Sequence, residues 1–403
     1  MPISPPPFRT SLGATGNERT DWVDVAGELG RRLGLLTLFT TEFVEEHSPL
    51  RSARRQGGGA HGNAILSRFD VADGSAEAIP HTGRGAFSWD EDEWDDKPAV
   101  QRLTRRFLTD NRQQPRRGCR TTLAATLELP LETVVADADA DAGNPVPGVA
   151  PVRVYSAHFE VFGGATGRVR SFGEVCANLR APPEAPAAAL LCGDLNTVGH
   201  GIMRLHPLFC TDSLRWASLG QSEPEWWATH VLSFTDDDGP TNPALTARLG
   251  MDEIGAADAR NPGFHDPFDV RLDTTVGAFP LVFTSKLDWV LATPGLRPIS
   301  AGLFNHAFSL ADHKGAVVDY RLAAAADHTP PAAPGRGIGG RSDLTLDPVQ
   351  VRTSGDGRPL TRATPKSLTE WLCWPLPSLL VTFAVVTVGR VLMGWVRSLF
   401  GGS

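Results

Sequence analysis

The chain has 403 residues, of which 41% are hydrophobic and 21% charged, and its formal net charge is -8 at pH 7. This composition supplies enough apolar residues for one large core, and the length fits a single α/β domain with loops and a tail. A net negative chain lacks the basic footprint of a general nucleic-acid-binding protein, so nucleic acid is not the favoured partner.

The N-terminal third contains one predicted helix and two predicted strands. Hydrophobic periodicity predicts an amphipathic helix in ERTDWVDVAGELGRRLGL (18–35) and a strand in LLTLFTTEFVEE (35–46). A glycine-rich turn then runs into a strand at GNAILSR (62–68). The opening stretch MPISPPPFRTSLGA is too short and too rich in proline to supply buried strands.

Four later apolar runs each lie beside polar residues suited to phosphate chemistry. They are VRVYSAHFE (152–160), ALLCGDLNT (189–197), KLDWVLATP (286–294) and SLADHKGAVVDY (309–320). Short runs rich in Val, Leu and Ala predict buried strands, whose ends bring functional groups together on a rigid sheet. The polar residues concerned are His158, Asp194, Asn196, Asp288, Asp312 and His313.

Each motif alone also has an ordinary structural interpretation. Asp194 and Asn196 could form an Asx-turn that closes a strand, and His158 could simply end one. Asp288 lies in an apolar stretch, where an unpaired carboxylate is costly, so we expect it to pair with His313. A base, an orienting amide, a carboxylate-supported His and an acid for a divalent cation are together the groups that cleave a phosphate ester.

The motifs, taken together, resemble a known family. GNAILSR, AHFE (157–160), GDLN (193–196), KLDW (286–289) and ADH (311–313) occur in the order seen in the endonuclease/exonuclease/phosphatase superfamily, whose fold is that of DNase I. The resemblance covers residues 15–322. It implies an α/β fold, a two-layer β-sandwich flanked by helices, and a divalent-metal-dependent phosphoesterase acting on a phosphodiester or phosphomonoester.

The same resemblance implies roles for the residues of these motifs. Asp194 would act as a base or, with Asn196, position the attacking water. His313, paired with Asp288, would contact the scissile phosphate, and His158 would stabilise the phosphoryl oxygens.

The resemblance further implies a metal site, and the residues of one predicted helix suggest a substrate contact. Asp312, Asp194 and Asn196 would hold Mg²⁺, with Mn²⁺ as the alternative. In the helix predicted at GATGRVRSFGEVCANLR (164–180), Arg170 would bind substrate, because a helix N-terminus with nearby arginines suits a phosphate. For Arg168 we favour solvation on the helix surface.

The resemblance fails at the beginning of the chain. Members of the superfamily open with a strand ending in Asn and a second ending in a metal-binding Glu, and neither is found here. Glu42 and Glu45 are acidic, but their placement fits a strand edge rather than that ligand. Two explanations stay open: the sequence is an incomplete gene model or a shortened isoform, or the protein has lost these strands and with them full catalysis. For the chain as given we expect weak Mg²⁺ binding, partly compensated by Mn²⁺, and keep as the alternative a catalytically weakened, membrane-anchored binding module of the same fold.

The C-terminal part differs in composition from the motif-bearing domain. Residues 323–369 are rich in Ala, Pro, Gly, Arg and Thr, which predicts a flexible linker. Residues 370–399 include an uncharged apolar run from Trp371 to Gly389, which predicts a transmembrane or membrane-anchoring helix. The alternative is an amphipathic or surface-packed helix, because Arg390 interrupts the apolar run.

The location of the domain follows from the tail and from two absences. No apolar segment follows Met1, so we expect no secretory signal. The five cysteines show neither CxxC spacing nor a paired framework, which is typical of a domain in a reducing compartment that has no zinc site. We thus expect a single C-terminal membrane anchor with the catalytic domain facing the cytosol. Anchoring favours a lipid or inositol phosphate as substrate over DNA.

Overall fold

The computed structural model describes residues 9–10, 22–46, 58–82, 102, 116–130, 149–182, 186–198, 222–235, 259–271, 273–277, 284–307, 311 and 313–322. Asp312, the predicted linker at 323–369 and the predicted apolar helix at 370–399 lie outside these residues. Within the described ranges, no helix has the length and apolar character needed to span a bilayer.

The described residues contain more strand than helix. The strands are β1 (Arg9–Thr10), β2 (Leu36–Glu45), β3 (Gly59–Ser67), β4 (Asp70–Val71), β5 (Glu77–Pro80), β6 (Arg116–Gly118), β7 (Thr121–Pro130), β8 (Val149–His158), β9 (Ala188–Asp194), β10 (Val276–Gly277), β11 (Thr284–Ser285), β12 (Asp288–Ala292), β13 (Leu296–Phe304) and β14 (Gly315–Leu322). The helices are α1 (Val25–Leu33), α2 (Gly164–Arg180), α3 (Glu223–His230) and a 3-10 turn at Val161–Gly163.

Six strands form the central sheet, in the order β12-β9-β8-β7-β4, with β5 also paired to β7. Strands β8 and β9 are parallel, whereas the other pairings in this sheet are antiparallel. Parallel neighbours need a crossover, and the chain between β8 and β9 contains α2. The polar ends of β8 and β9 therefore lie at the same edge of the sheet.

The central sheet is covered on both faces. In β7, Leu123 and Ala125 pack with Leu38 and Ile65 of the second sheet, in which β2 pairs with β1, β3 and β6. The intervening Ala124 belongs to the core on the opposite face. Since alternate strand residues point to opposite faces, the buried run of β7 lies between two layers, as the predicted α/β sandwich requires.

Helices α2 and α3 cover the other face of the central sheet. Phe172 and Trp227 lie in one buried cluster with Tyr155 and Trp289 of the strands. The guanidinium of Arg168 is buried as well and donates two hydrogen bonds of 2.7 Å to the carboxylate of Glu223. The expectation that Arg168 is solvated is thus wrong, because this side chain joins α2 to α3.

Helix α1 is shorter than its amphipathic pattern predicts. The Asp24 side chain accepts a hydrogen bond from the Gly27 amide and caps the N-terminus. Gly34 ends the helix in the left-handed conformation, with φ of 66°. The flanking residues of the predicted 18–35 segment are consequently not helical where they are described.

Candidate active site

Three of the predicted site residues lie side by side at one edge of the central sheet. His158 ends β8, Asp194 ends β9 and Asp288 begins β12. In the strand register, Asp194 is the partner of His158 on one side and of Asp288 on the other. The sheet thereby brings together residues that are far apart in the sequence.

The turn after Asp194 depends on two backbone conformations. Gly193 has φ of 141°, and a Cβ at this position would lie 1.9 Å from the carbonyl oxygen of Ala157, so only glycine allows β9 to approach β8 here. Asn196 has φ of 50°, a left-handed conformation that Asn tolerates better than most residues.

Hydrogen bonds from Asn196 then hold the turn in place. Its backbone N–H donates to the Asp194 carboxylate at 2.8 Å, which forms the Asx-turn that the motif allowed. Its side-chain Nδ2 donates to the Phe159 carbonyl at 2.9 Å. Asn196 is 7% exposed, so its side chain fixes the loop between β8 and β9 beside the cluster.

Asp288 has the partner that its apolar surroundings require. Its Oδ2 lies 2.8 Å from Nδ1 of His313. The hydroxyl of Thr275 accepts hydrogen bonds from the backbone amides of Leu287 and Asp288 and so fixes the start of β12. Nδ2 of Asn305, directly after β13, donates to the carbonyls of Ala311 and His313 and so fixes the backbone at these two residues.

Asp194, Asp288 and His313 form a cluster with the donor atoms of a divalent metal site. One potential ligand atom from each lies within 4.8 Å of the others. Burial raises the pKa of the Asp194 carboxyl, and the nearby Asp288 charge raises it further, against the opposing effect of His158. A cation would relieve this repulsion, and carboxylate oxygens suit Mg²⁺ or Mn²⁺, so the residues fit such an ion.

This cluster differs from the ligand set predicted from the sequence. Asp194 belongs to both, whereas Asp312 lies outside the described residues. The Asn196 side chain donates a hydrogen bond from Nδ2 to the Phe159 carbonyl, and its role as a cation ligand stays a prediction. Asp288 and His313, which the resemblance placed on the substrate side, are the two residues that the structure adds.

Glu42 lies at this site and not at a strand edge. β2 is paired on both sides, with β3 on one and with β1 and β6 on the other. Thr41 pairs with Gly62 and Phe43 with His61, so Glu42 is the extra residue of a β-bulge. Bulges re-aim side chains, and here the carboxylate is 2% exposed and lies 3.4 Å from Nδ1 of His158.

Arg120 is the second site residue that the sequence did not identify. Its side chain is buried, with 4% of the residue exposed. Its guanidinium donates to Glu42 at 2.9 Å and to Glu160 at 3.2 Å. The sequence shows only that Arg120 directly precedes the apolar run TTLAATLEL, and this position alone does not indicate that its side chain is buried.

Arg170, the predicted substrate-binding residue, lies on α2 and is partly buried. Its Nε is buried without a hydrogen-bond partner, and no bond to the cluster residues is found in the described part of the chain. Its role in substrate binding stays a prediction.

The Glu42 ion pair gives a stability prediction. Burial alone would raise the pKa of Glu42, but the charges of Arg120 and His158 lower it to about 2. Breaking a buried pair from one side leaves a charge uncompensated, so Glu42→Gln should lower the free energy of unfolding at pH 7 by roughly 3 kcal/mol. The folded-state pKa is depressed, so this contribution is present above the unfolded-state value of 4.5 and lost as the pH falls towards 2.

Urea unfolding of Glu42→Gln and wild type between pH 7 and pH 3 measures that difference. Glu46→Gln is the control, because Glu46 pairs with the exposed Arg117 at the surface and its loss should cost less than about 1 kcal/mol. Equal effects of the two substitutions, or a difference that does not shrink in acid, would contradict the assignment.

Comparison with known proteins identifies the family of the chain. The sequence model of the Endonuclease/Exonuclease/phosphatase family matches residues 15–313. Among curated proteins, no sequence matches. The endonuclease/exonuclease/phosphatase from Beutenbergia cavernae DSM 12333 is a similar solved structure, with 18% identity, a TM-score of 0.34 and coverage of 79% of this chain and 61% of that chain.

Two further solved structures are similar to the chain. The human Nocturnin catalytic domain with bound sulfate anion has 15% identity and a TM-score of 0.35, with coverage of 76% of this chain and 79% of that chain. An AP endonuclease from Archaeoglobus fulgidus has 13% identity and a TM-score of 0.32, with coverage of 75% and 85%. Because the family match spans residues 15–313 of the 403, the chain belongs to the endonuclease/exonuclease/phosphatase family.

Proposed function

We propose that this chain is a divalent-metal-dependent phosphoesterase whose active site comprises His158, Asp194, Asn196, Asp288 and His313. Family membership supports hydrolysis of a phosphate ester as the reaction class. The observation that carries the proposal is the position of Asp194, which is paired in register with both His158 and Asp288. This register places the Asp194 carboxylate, the second carboxylate of Asp288 and the imidazole of His158 within one site.

Each residue would contribute a distinct action. Asp194 would accept a proton from the attacking water or position that water together with Asn196. Asp288 would hold the His313 ring by its Nδ1, which leaves Nε2 to contact a phosphoryl oxygen. His158, whose Nε2 lies 3.6 Å from Asp194 Oδ2, would contact the same phosphate from the opposite side.

A divalent cation would be held by Asp194 and Asp288, with His313 beside them, and Asp312 is proposed as a further ligand. When bound, Mg²⁺ or Mn²⁺ would neutralise charge on the phosphoryl oxygens and lower the pKa of a water molecule. Glu42 is a poor candidate, because its carboxylate already accepts from Asn63 at 2.9 Å and Arg120 at 2.9 Å.

The test is hydrolysis of two chromogenic compounds by the full chain, bis(p-nitrophenyl) phosphate as the diester and p-nitrophenyl phosphate as the monoester. Turnover of either supports the proposal, and the ratio of the two rates identifies the ester class. His158→Gln should lower the rate, whereas His306→Gln, an exposed His in the loop after β13, should not. If neither ester is hydrolysed with Mg²⁺ or Mn²⁺, the enzyme proposal is contradicted and the binding module is the remaining interpretation.

That alternative is a binding module of the same fold. The hydrogen bonds that Glu42 already accepts from Asn63 and Arg120 favour it. If the acidic side chain nearest to His158 is committed to Arg120, the described site has fewer free carboxylates for a cation. Such a module would bind a phosphodiester without cleaving it. Saturable binding of bis(p-nitrophenyl) phosphate, with no release of nitrophenol, distinguishes the module from the enzyme.

Membrane attachment is part of the proposal and depends on the sequence of the tail. The apolar run from Trp371 to Gly389 supports an anchor, and an anchored site would favour a lipid or inositol phosphate as substrate. Full-length protein should then stay with membranes after an alkaline carbonate wash, and removal of residues 371–399 should release it. Recovery of the full chain in the wash supernatant would contradict the anchor.

A further inference from the structure

Nδ1 of His158 faces two buried charged side chains, Arg120 and Glu42. Nη1 of Arg120 lies 2.7 Å from Nδ1 of His158 and donates to Glu42 Oε2 at 2.9 Å. Arg120 is 4% exposed, whereas the His158 side chain is 34% exposed. The ring therefore has one nitrogen turned to the interior and the other turned to Asp194.

The chemistry of arginine decides which ring nitrogen carries the proton. A guanidinium is always charged in proteins and has five N–H donors but no acceptor. Nδ1 of His158 must then accept, since a proton there would oppose the Arg120 N–H across 2.7 Å. Glu42 lies farther from Nδ1, at 3.4 Å, and already accepts from Arg120. The neutral imidazole consequently carries its proton on Nε2.

The guanidinium is itself fixed by groups on several elements. Glu42 is held in turn by Nδ2 of Asn63, which also donates to the Thr121 carbonyl. On the other side, Nε of Arg120 donates to Glu160 at 3.2 Å, and Glu160 caps the 3-10 turn at the Phe162 amide. Strands β2 and β3 and the segment after β8 thus determine where Nη1 lies.

We propose that Arg120 is a positioning residue that fixes the tautomer and ring orientation of His158, so that Nε2–H is presented to the site as a hydrogen-bond donor. Nε2 lies 3.6 Å from Asp194 Oδ2, too far for a strong hydrogen bond, so this proton is available to a phosphoryl oxygen. This inference rests on the proposed function for its catalytic meaning. The tautomer itself does not depend on it.

The first test reads the tautomer directly. Two-bond proton–nitrogen NMR correlation spectra of the full chain, at a pH where the ring is neutral, distinguish the two forms, and His158→Gln assigns the signal among the 11 histidines. We expect the Nε2–H form in the wild type and a mixture of forms in Arg120→Met. An Nδ1–H form in the wild type overturns the proposal, whatever the outcome of any activity assay.

The second test separates positioning from loss of stability. Arg120→Met should lower kcat by roughly 10- to 100-fold with a smaller change in KM, as for partners that orient a functional His. Arg153→Met is the matched control, because Arg153 is a buried arginine of the same sheet that bonds to Asn178 and Thr126 and not to the site. Equal kcat values for the two variants would overturn the proposal.

Two further variants cover the remaining outcomes. If Arg120→Met does not fold, the double variant Glu42→Gln/Arg120→Met replaces it, because it also removes the Glu42 charge that would be left without its partner. Its NMR spectra and its kcat are then compared with those of the wild type. Arg120→Lys keeps the charge and one donor and should recover part of the Nε2–H signal. A wild-type chain with the Nε2–H form and no turnover refutes the proposed function and leaves the tautomer assignment standing.

Discussion

Asp194→Asn should lower kcat for a phosphodiester by roughly 100-fold or more, because the amide can neither accept the proton nor supply an anionic oxygen. The turn should persist, since the side-chain oxygen of Asn still accepts from the Asn196 amide. The same substitution should raise the melting temperature in metal-free buffer at pH 7. The substitution should stabilise the fold while it abolishes function, because it removes the repulsion between the Asp194 and Asp288 charges.

The sign of the stability change follows from the direction of the pKa shift. Burial and Asp288 raise the pKa of Asp194 above 3.8, so the ionised form is less favourable in the folded chain than in the unfolded chain. The charge therefore costs stability above pH 3.8, and the advantage of the variant should disappear as the pH falls below this value. Thermal unfolding of the wild type and Asp194→Asn from pH 7 to pH 3 measures this difference in melting temperature. Asp73→Asn, at an exposed position, is the control.

Asp288 and His313 should behave as one unit in a double-mutant cycle. The carboxylate holds the ring at Nδ1 at 2.8 Å, so His313→Gln and Asp288→Asn each remove the same oriented group. We expect each single substitution to lower kcat by roughly 100-fold and the double substitution to cost little more than the worse single one.

The cycle requires kcat and KM for the four proteins under saturating metal. Asp319→Asn, on the exposed face of β14, is the control for the loss of a carboxylate near His313 in sequence. Effects that multiply in the double variant would mean that the two residues act independently. An active His313→Gln would remove this residue from the site.

Much of the central sheet could be predicted because its strands carry their own signal. The runs at β7, β8, β9 and β12 are apolar and bounded by polar residues, and each forms a strand in the structure. The pairing of Asp288 with His313 was also predictable, because a carboxylate in an apolar stretch needs a partner. Order along the chain and local burial were sufficient for both.

Glu42 and Arg120 could not be placed in the same way. The direction of the Glu42 side chain depends on a β-bulge, which is set by pairing with β3 and leaves no local pattern in LTLFTTEFVE. Arg120 is buried only because Glu42 and Glu160 reach it from other segments. Such a charge cluster is a tertiary property, and periodicity within one segment does not report it.

The asparagine of GDLN shows the opposite case. The sequence favoured Asn196 as a cation ligand, and its turn was the alternative interpretation. In the structure, the amide of its side chain is engaged with the Phe159 carbonyl, and its backbone amide caps Asp194. The hydrogen bonds confirm the turn that the sequence allowed, and the role of Asn196 as a cation ligand stays a prediction.

The most direct test of the account is the dependence of turnover on a divalent cation. The full chain, treated with a chelator and then dialysed, should not hydrolyse bis(p-nitrophenyl) phosphate, and Mn²⁺ should restore turnover with saturation, more effectively than Mg²⁺. Calorimetry on the same samples should show Mn²⁺ binding to the wild type and much weaker binding to Asp194→Asn. Full turnover in the chelated protein, or equal Mn²⁺ binding by the two proteins, would contradict a catalytic cation site at Asp194, Asp288 and His313.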